Sequence, residues 1–118
     1  MSHLPRGLAL VRVTGTSMQP TLRAGDVVLV RSPGRPRAGR IAVVRLPPDT
    51  DGAPRPLSIK RLTGPDPADP ARWWIERDNP RAGVDSWLVG SLAAPDVLGV
   101  ALLRVWPHPK LLPRRSEA

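Results

Sequence analysis

The sequence contains no cysteine, no phenylalanine and no tyrosine among its 118 residues. The lack of cysteine excludes disulfide bonds, thiolate catalysis and cysteine-based metal sites, and it is consistent with a reducing compartment. Without Phe and Tyr, the core has to be built from Val, Leu, Ile and the four tryptophans. The two histidines lie near opposite ends of the chain and make a poor metal site, so we expect no metal and no cofactor.

Long hydrophobic runs are also missing. Two apolar stretches end at Arg12 and Arg104, each the size of a strand, whereas a membrane-spanning helix needs about 18–20 apolar residues. The N-terminus has no secretory hydrophobic segment of useful length. We therefore expect a cytoplasmic protein with no transmembrane segment.

Lysine is scarce in a chain that is otherwise strongly basic. Of 18 basic residues only Lys60 and Lys110 are lysines, and the formal net charge is +8. The arginines are scattered along the sequence without a block of five or more basic residues, so nucleic-acid binding is not expected as the main role. A lysine that is retained in such a composition calls for a chemical explanation.

Turn-forming residues punctuate the chain, which has 16 prolines and 10 glycines, and helical periodicity is poor. This pattern predicts a mainly β domain of coiled β-sheets or a small distorted barrel, with few short helical turns. We expect one domain over residues 1–106 and a flexible basic tail over residues 107–118. One helical turn is expected at 16–23, and loops at 47–56 and 64–71. The predicted strands cover residues 9–13, 27–31, 40–46, 57–62, 73–77, 87–89 and 97–105.

Ser17 and Lys60 are the candidate catalytic residues. A serine hydroxyl is a weak nucleophile until a base takes its proton. Lysine can act as that base when desolvation lowers its pKa, whereas arginine stays protonated. Lys60 lies in an apolar predicted strand, where Ser58 and Leu62 share its face and Arg61 points the other way. Gly15 and short side chains precede Ser17, so backbone N–H groups there are expected to face a developing oxyanion.

The surroundings of these two residues resemble the type I signal peptidase and LexA-like serine–lysine protease superfamily. The resemblance spans roughly residues 11–106 and consists of four local motifs in the family's order, which together form a specific pattern. The motifs are Gly-x-Ser-Met-x-Pro-Thr-Leu-x-x-Gly-Asp at 15–26, a strand at 38–44, Ile-Lys-Arg-Leu-x-Gly at 59–64, and Asp78-Asn79-Pro80 followed by Asp85-Ser86 and Gly90.

The resemblance implies a role for each matching residue. Ser17 would be the nucleophile and Lys60 the general base, and the backbone of Ser17, Thr16 and Gly15 would form the oxyanion hole. Three apolar residues would line the substrate pocket: Val13, Met18 and Leu22. Four polar residues would brace the loop behind the lysine: Asp78, Asn79, Asp85 and Ser86.

The sequence departs from the family pattern at three positions. The glycine that usually precedes Asp-Asn is Arg77, and the arginine that often follows Asp-Ser is Trp87. Gly83 stands where many signal peptidases place a serine that steadies the lysine amine. Candidates for that hydroxyl are Ser58 and Ser86, and the family's aspartate–arginine pair is either absent or rebuilt with Arg77 or Arg81.

Residues 20–22, Pro-Thr-Leu, are more typical of the signal peptidase branch than of LexA-type repressors. As a short member of this branch that is expected to be soluble, the chain most resembles the nickel-type superoxide dismutase maturation proteases. The likeness implies that a precursor protein is the partner, namely the pro-form of that dismutase, and that its N-terminal propeptide is removed. Three alternatives remain: a soluble peptidase acting on other precursors, a peptidase working at a membrane surface through its tryptophans, and an inactive basic binding module on the same fold.

Overall fold

One antiparallel sheet makes up most of the computed structural model, which describes residues 4–112. Within that range the spatial order of the strands is β1-β2-β7-β3-β4-β5-β6, and β8 pairs with β7. The mainly β prediction is confirmed. The strands are β1 (Gly7–Arg12), β2 (Val27–Ser32), β3 (Ile41–Val44), β4 (Ser58–Asp66), β5 (Asp69–Glu76), β6 (Leu92–Ala93), β7 (Val97–Trp106) and β8 (Lys110–Leu111).

The short strand β3 lies at the centre of the molecule, and all four of its residues are buried. Alternate side chains of a strand point to opposite faces, so β3 contributes to two separate core clusters. Ile41 and Val43 pack in a first cluster with Val28, while Ala42 and Val44 pack in a second. The sheet therefore curls around both sides of β3. Register shifts in the β2–β7, β3–β7 and β4–β5 pairs are the irregularities that accompany this curvature.

The core is aliphatic, which corrects the expectation that the tryptophans help to build it. Trp87 is 76% exposed and Trp106 is 56% exposed. Trp73 packs only at the margin of the second cluster. Trp74 meets Trp87 edge to face, with ring centroids 5.2 Å apart, outside both clusters. The buried residues of the two clusters are Val, Leu, Ile, Ala and Met.

Two predicted local structures are wrong for identifiable reasons. Residues 87–89 lie in a four-residue helix, α1 (Ser86–Val89), because the Asp85 side chain accepts the N–H of Trp87 and caps the helix. Residues 64–71 form a hairpin in place of a loop, with Asp66 paired to Asp69 across the turn between β4 and β5. A short 3-10 helix at Ala94–Asp96 leads into β7.

The segment over residues 16–23 consists of turns. Two local backbone bonds lie within it: the Gln19 N–H donates to the Thr16 carbonyl at 3.1 Å, and the Leu22 N–H donates to the Met18 carbonyl at 2.9 Å. The loop expected over residues 47–56 is present. Among residues 4–112, no helix is long and apolar enough to cross a membrane.

The folded part of the chain continues past the predicted boundary at residue 106. Lys110 and Leu111 form β8 against β7, and Leu112 is buried in the first core cluster. The tail predicted to start at residue 107 is therefore structured as far as Leu112, because the Leu112 side chain packs in the core. Residues 113–118 of that prediction lie outside the described residues.

Candidate active site

Ser17 lies in the turns between β1 and β2, close to a loop that follows β5. Two bonds from Asn79 hold its backbone: the Asn79 N–H donates to the Ser17 carbonyl at 2.8 Å, and Nδ2 donates to the Thr16 carbonyl at 2.9 Å. Gly15 has a φ of +76°, in the left-handed region that glycine adopts without strain. Asn79 therefore braces the serine segment, whereas the sequence analysis placed it behind the lysine.

Lys60 reaches the same place from β4. Its side chain is buried, with the residue 3% exposed, and Nζ donates a hydrogen bond of 2.9 Å to Ser17 Oγ. The predicted alternation along the strand is present, since Ile59 packs against the first core cluster and Leu62 lies in the second. Two residues that are 43 positions apart in sequence thus meet as a hydrogen-bonded pair.

Burial lowers the pKa of the Lys60 ammonium below its ordinary value of 10.5, because desolvation penalises the charged form. The carboxylate of Asp85 opposes this by raising the pKa, and the positive charge of Arg77 lowers it further. The net direction is downward, which favours the neutral amine that a general base requires.

Gly83 lies directly against the pair. A Cβ atom at this position would be 2.5 Å from Ser17 Cβ and 3.2 Å from Lys60 Nζ, and its φ is +93°. The sequence comparison had matched residue 83 to a lysine-orienting serine, and this position is indeed beside the lysine amine. A side chain at residue 83 would require the backbone here to move away from Ser17.

The sequence left open whether an aspartate–arginine pair is absent or rebuilt with Arg77 or Arg81. In the structure, Arg77 forms an ion pair with Asp85. Arg77 Nε lies 3.6 Å from Asp85 Oδ2, and the backbone N–H of Arg77 donates to the same oxygen at 3.3 Å. The Arg77 guanidinium also donates to the Gly83 carbonyl at 2.6 Å. The arginine that replaces the family's glycine therefore holds the loop that contacts Ser17 and Lys60.

A second, deeper ion pair lies behind the serine segment and was missed from sequence. Arg61, the residue after Lys60, binds Asp78 through two nitrogens, at 3.2 and 2.6 Å. Asp78 also accepts the hydroxyl of Thr21 at 2.6 Å, and Arg61 donates to the Gly39 carbonyl at 2.9 Å. The adjacency of Lys-Arg and Asp-Asn in two motifs was the available signal, but only the three-dimensional pairing shows that they meet.

A cavity of about 230 Å³ opens beside Ser17 and Lys60. Val13 and Met18 line it, as predicted for the substrate pocket. Leu22 does not line it and lies fully buried in the first core cluster, because the turn that follows Ser17 folds back into the interior. Leu22 therefore packs in the same core cluster as Val13 and Met18 and has no exposed surface that a substrate could contact.

The backbone N–H groups of Gly15, Thr16 and Ser17 donate to no acceptor within residues 4–112. Gly15 and Ser17 both line the cavity. Unsatisfied N–H groups beside a nucleophilic hydroxyl are what an oxyanion hole is made of. The oxyanion-hole role of Gly15, Thr16 and Ser17 stays a prediction.

Neither candidate hydroxyl is bonded to Lys60. Ser86 Oγ accepts the N–H of Ile75 at 2.9 Å, and Ser58 Oγ donates to the Pro56 carbonyl at 3.3 Å. Ser86 thus fastens α1 to β5, and Ser58 lies at the cavity wall. Among the described residues, no group of three or more His, Asp or Glu side chains is placed to hold a metal ion.

The sequence profile of the Peptidase S24-like family matches residues 1–80, which include both Ser17 and Lys60. The chain belongs to the Peptidase S24-like family. It is also 32% identical over 124 aligned residues to the mitochondrial ATP-independent inner membrane protease subunit 1a of Arabidopsis thaliana, an alignment that covers 85% of this chain and 71% of that protein.

These similarities confirm the resemblance to the signal peptidase and LexA-like proteases at the level of the family, and with it a protease-like function. The profile match ends before Gly83 and Asp85. The part of the site that departs most from the family pattern is therefore the part that the match does not cover.

Proposed function

We propose that this chain is a serine endopeptidase in which Ser17 is the nucleophile and Lys60 the general base. The observation that carries the proposal is the 2.9 Å hydrogen bond from Lys60 Nζ to Ser17 Oγ at the edge of a cavity. The lowered pKa of Lys60 and the free N–H groups beside Ser17 support the same assignment. Both residues lie within the segment that matches the peptidase family.

In the first half of the reaction, neutral Lys60 takes the hydroxyl proton of Ser17 while Oγ attacks the scissile carbonyl carbon. The carbonyl oxygen becomes an oxyanion, and the N–H groups of Ser17 and its neighbours stabilise it. The tetrahedral intermediate then collapses. The C–N bond breaks, Lys60 gives its proton to the leaving amine, and the acyl group stays on Ser17 as an ester.

In the second half, Lys60 is neutral again and takes a proton from a water molecule that attacks the ester. Collapse of the second intermediate breaks the bond to Ser17 Oγ, which recovers the proton from Lys60. The products are a peptide with a new carboxylate and one with a new amine, and the enzyme returns to its starting state. The cycle needs no metal and no cofactor.

The substrate that we propose is a precursor protein from which an N-terminal propeptide is removed, specifically the pro-form of nickel-type superoxide dismutase in the cytoplasm. This choice of substrate is supported by the sequence resemblance to short members of the signal peptidase branch. Val13 and Met18 at the cavity wall suit a small apolar residue before the cleaved bond.

The test is the intact mass of the pro-form dismutase after incubation with the protein, and with its Ser17→Ala and Lys60→Ala variants. We expect one cut with the unchanged protein and a rate at least about 1,000-fold lower with each variant. Lys110→Ala is the matched control, because Lys110 is the other lysine and lies exposed on β8. Retained turnover in folded Ser17→Ala would contradict the mechanism. No cut by the unchanged protein would direct the search to other precursors.

A second candidate function keeps the same chemistry and places it at a membrane surface. Leu10, Leu29, Leu103 and Leu111 are successive cross-strand partners on β1, β2, β7 and β8, and the two end members are exposed. Trp106 is exposed beside this row, next to its β2 partner Val27. Flotation of the protein with lipid vesicles would favour this candidate. If the protein neither floats nor cleaves, and binds anions only, the inactive binding module is the better description.

A further inference from the structure

A second cavity, of about 620 Å³, lies between the β2–β3 connection and strand β7. It shares no lining residue with the catalytic cavity. Its walls carry the apolar side chains of Val100 and Leu102 together with four arginines: Arg31, Arg35, Arg37 and Arg40. All four arginines come from ten consecutive residues, 31–40, and the fold places them around one cavity.

Among the described residues, these four guanidinium groups have no carboxylate partner. Within residues 4–112 none of them forms an ion pair or a side-chain hydrogen bond. By contrast, four other arginines lie within ion-pair distance of a carboxylate: Arg45, Arg61, Arg77 and Arg104. The four line one cavity and carry the same charge, so an anion entering the cavity would be attracted to it.

The backbone holds this cluster in place. Gly34 lies so close to β7 that a Cβ atom there would be 2.6 Å from Val100 Cγ2, which lets the connection pack directly on the strand. A turn bond joins the Arg40 N–H to the Arg37 carbonyl at 3.1 Å, and the Leu62 N–H donates to the Arg40 carbonyl at 2.8 Å. The backbone of the connection is thus tied to β4 and β7, and Arg35, Arg37 and Arg40 reach the cavity from it.

The lining favours a protein ligand over a nucleic acid. Guanidinium groups bind carboxylates and phosphates in the same bidentate geometry, so the rest of the lining has to decide between the two ligands. The apolar patch of Val100 and Leu102 suits the side chains that alternate with acidic ones in a peptide. The cavity has no aromatic side chain on which a base would stack.

We propose that this cavity binds an acidic segment of a protein, with its carboxylates on the four arginines and an apolar side chain on Val100 and Leu102. As a recruitment site for a precursor, this role rests on the proposed peptidase function. The site then recognises an Asp- or Glu-rich segment away from the cleaved bond.

The test measures binding without turnover, using the Ser17→Ala protein and fluorescence anisotropy of a labelled dodecapeptide of Glu, Leu and Gly. A peptide with Gln in place of every Glu is the ligand control. Arg35→Gln/Arg37→Gln removes two charges from the cavity, and Arg23→Gln/Arg81→Gln removes two from residues that do not line it. We expect the first pair to raise Kd by about tenfold and the second by less than about twofold. Binding should weaken as salt increases.

Several results would overturn the proposal. Equal losses from the two double variants would mean that only net charge matters. Equal affinity for the Gln peptide would exclude carboxylate recognition. Tighter, Arg35- and Arg37-dependent binding of a single-stranded oligonucleotide or of phosphatidylglycerol vesicles would assign the cavity to that ligand. Because the assay uses an inactive variant, failure of the peptidase proposal leaves this result intact, and the reverse also holds.

Discussion

At the scale of single residues, Gly83 shows how closely the backbone approaches the proposed catalytic pair. The absence of a side chain lets the loop before α1 lie against both Ser17 and Lys60. The Arg77 guanidinium holds that loop by its bond to the Gly83 carbonyl. Position 83 therefore controls the geometry of the pair through van der Waals contact, without offering a hydroxyl to it.

We predict that Gly83→Ala abolishes most of the activity while the protein stays folded. The new Cβ would lie 2.5 Å from Ser17 Cβ, and a displacement of about 1 Å in a catalytic group costs on the order of 100-fold in rate. Gly52→Ala is the matched control, since Gly52 also has a positive φ but no atom within 4 Å of an added Cβ. Both variants should lose about 1–2 kcal/mol of stability from the left-handed backbone. Equal activities of the two variants would contradict the prediction.

The local sequence was enough to propose Ser17 and Lys60 as a pair, because each lies in a motif that carries its own chemistry, and the structure places the two side chains within hydrogen-bond distance. It was not enough for Arg77 or for the hydroxyls of Ser58 and Ser86. Each of those side chains has several polar groups nearby in the sequence. Its hydrogen-bond partner is decided by the three-dimensional fold. Ser86, for example, is used by the N–H of Ile75.

At the scale of elements, the Arg61–Asp78 pair connects β4 to the loop after β5, and Thr21 adds the turn segment that carries Ser17. Arg61 and Asp78 are almost completely shielded from solvent, at 6% and 1% side-chain exposure. The Arg45–Asp96 pair joins the end of β3 to the 3-10 helix at 39% and 35% exposure. The two pairs therefore offer a comparison of the same chemistry at two depths.

We predict that Asp78→Ala lowers the free energy of unfolding by about 3–5 kcal/mol, because it leaves a buried guanidinium without its partner. Asp96→Ala should cost about 0–1 kcal/mol, as is usual for exposed pairs. Urea denaturation of both variants measures the difference. Asp78→Ala should also reduce activity, since Asp78 accepts the hydroxyl of Thr21 in the segment that carries the proposed nucleophile Ser17. Similar losses of stability in the two variants would show that the buried pair does not hold these elements together.

The elements themselves were predictable where apolar runs are long enough, as in β2 and β7. The prediction failed at residues 87–89, where the run is short and the Asp85 cap decides in favour of a helix. It failed again at residues 64–71, because prolines and aspartates that suggest a loop are tolerated at the tip of a hairpin. In both places a contact outside the segment sets the outcome.

At the scale of the whole molecule, the curled sheet determines what sequence reasoning could not reach. A composition without Phe or Tyr suggested that the tryptophans fill the core, but β3 is enclosed by branched aliphatic side chains and Trp87 and Trp106 are left on the surface. The arginines of residues 31–40 meet Val100 and Leu102 at one cavity, because the β2–β3 connection folds back on β7. The sequence alone does not show which residues pack around β3, or that the β2–β3 connection packs on β7.

The fold also places Lys60 where its charge is costly, and the stability of the molecule should show this. Burial lowers the pKa of Lys60 from 10.5, so the unfolded chain holds this proton at pH values where the folded protein has released it. The cost is complete below the folded pKa. It falls as pH rises from that value to 10.5. Asp85 reduces the cost and Arg77 adds to it.

We therefore predict that Lys60→Met, which keeps the volume and removes the charge, stabilises the protein at neutral pH, and that the gain shrinks as pH rises towards 10.5. Urea denaturation of both proteins across this range measures the difference, in which the titration of all other groups largely cancels. Lys110→Met is the matched control, because Lys110 is exposed on β8. If the two substitutions change stability with the same pH dependence, Lys60 carries no burial cost, and its role as a neutral base at working pH would lose its physical support.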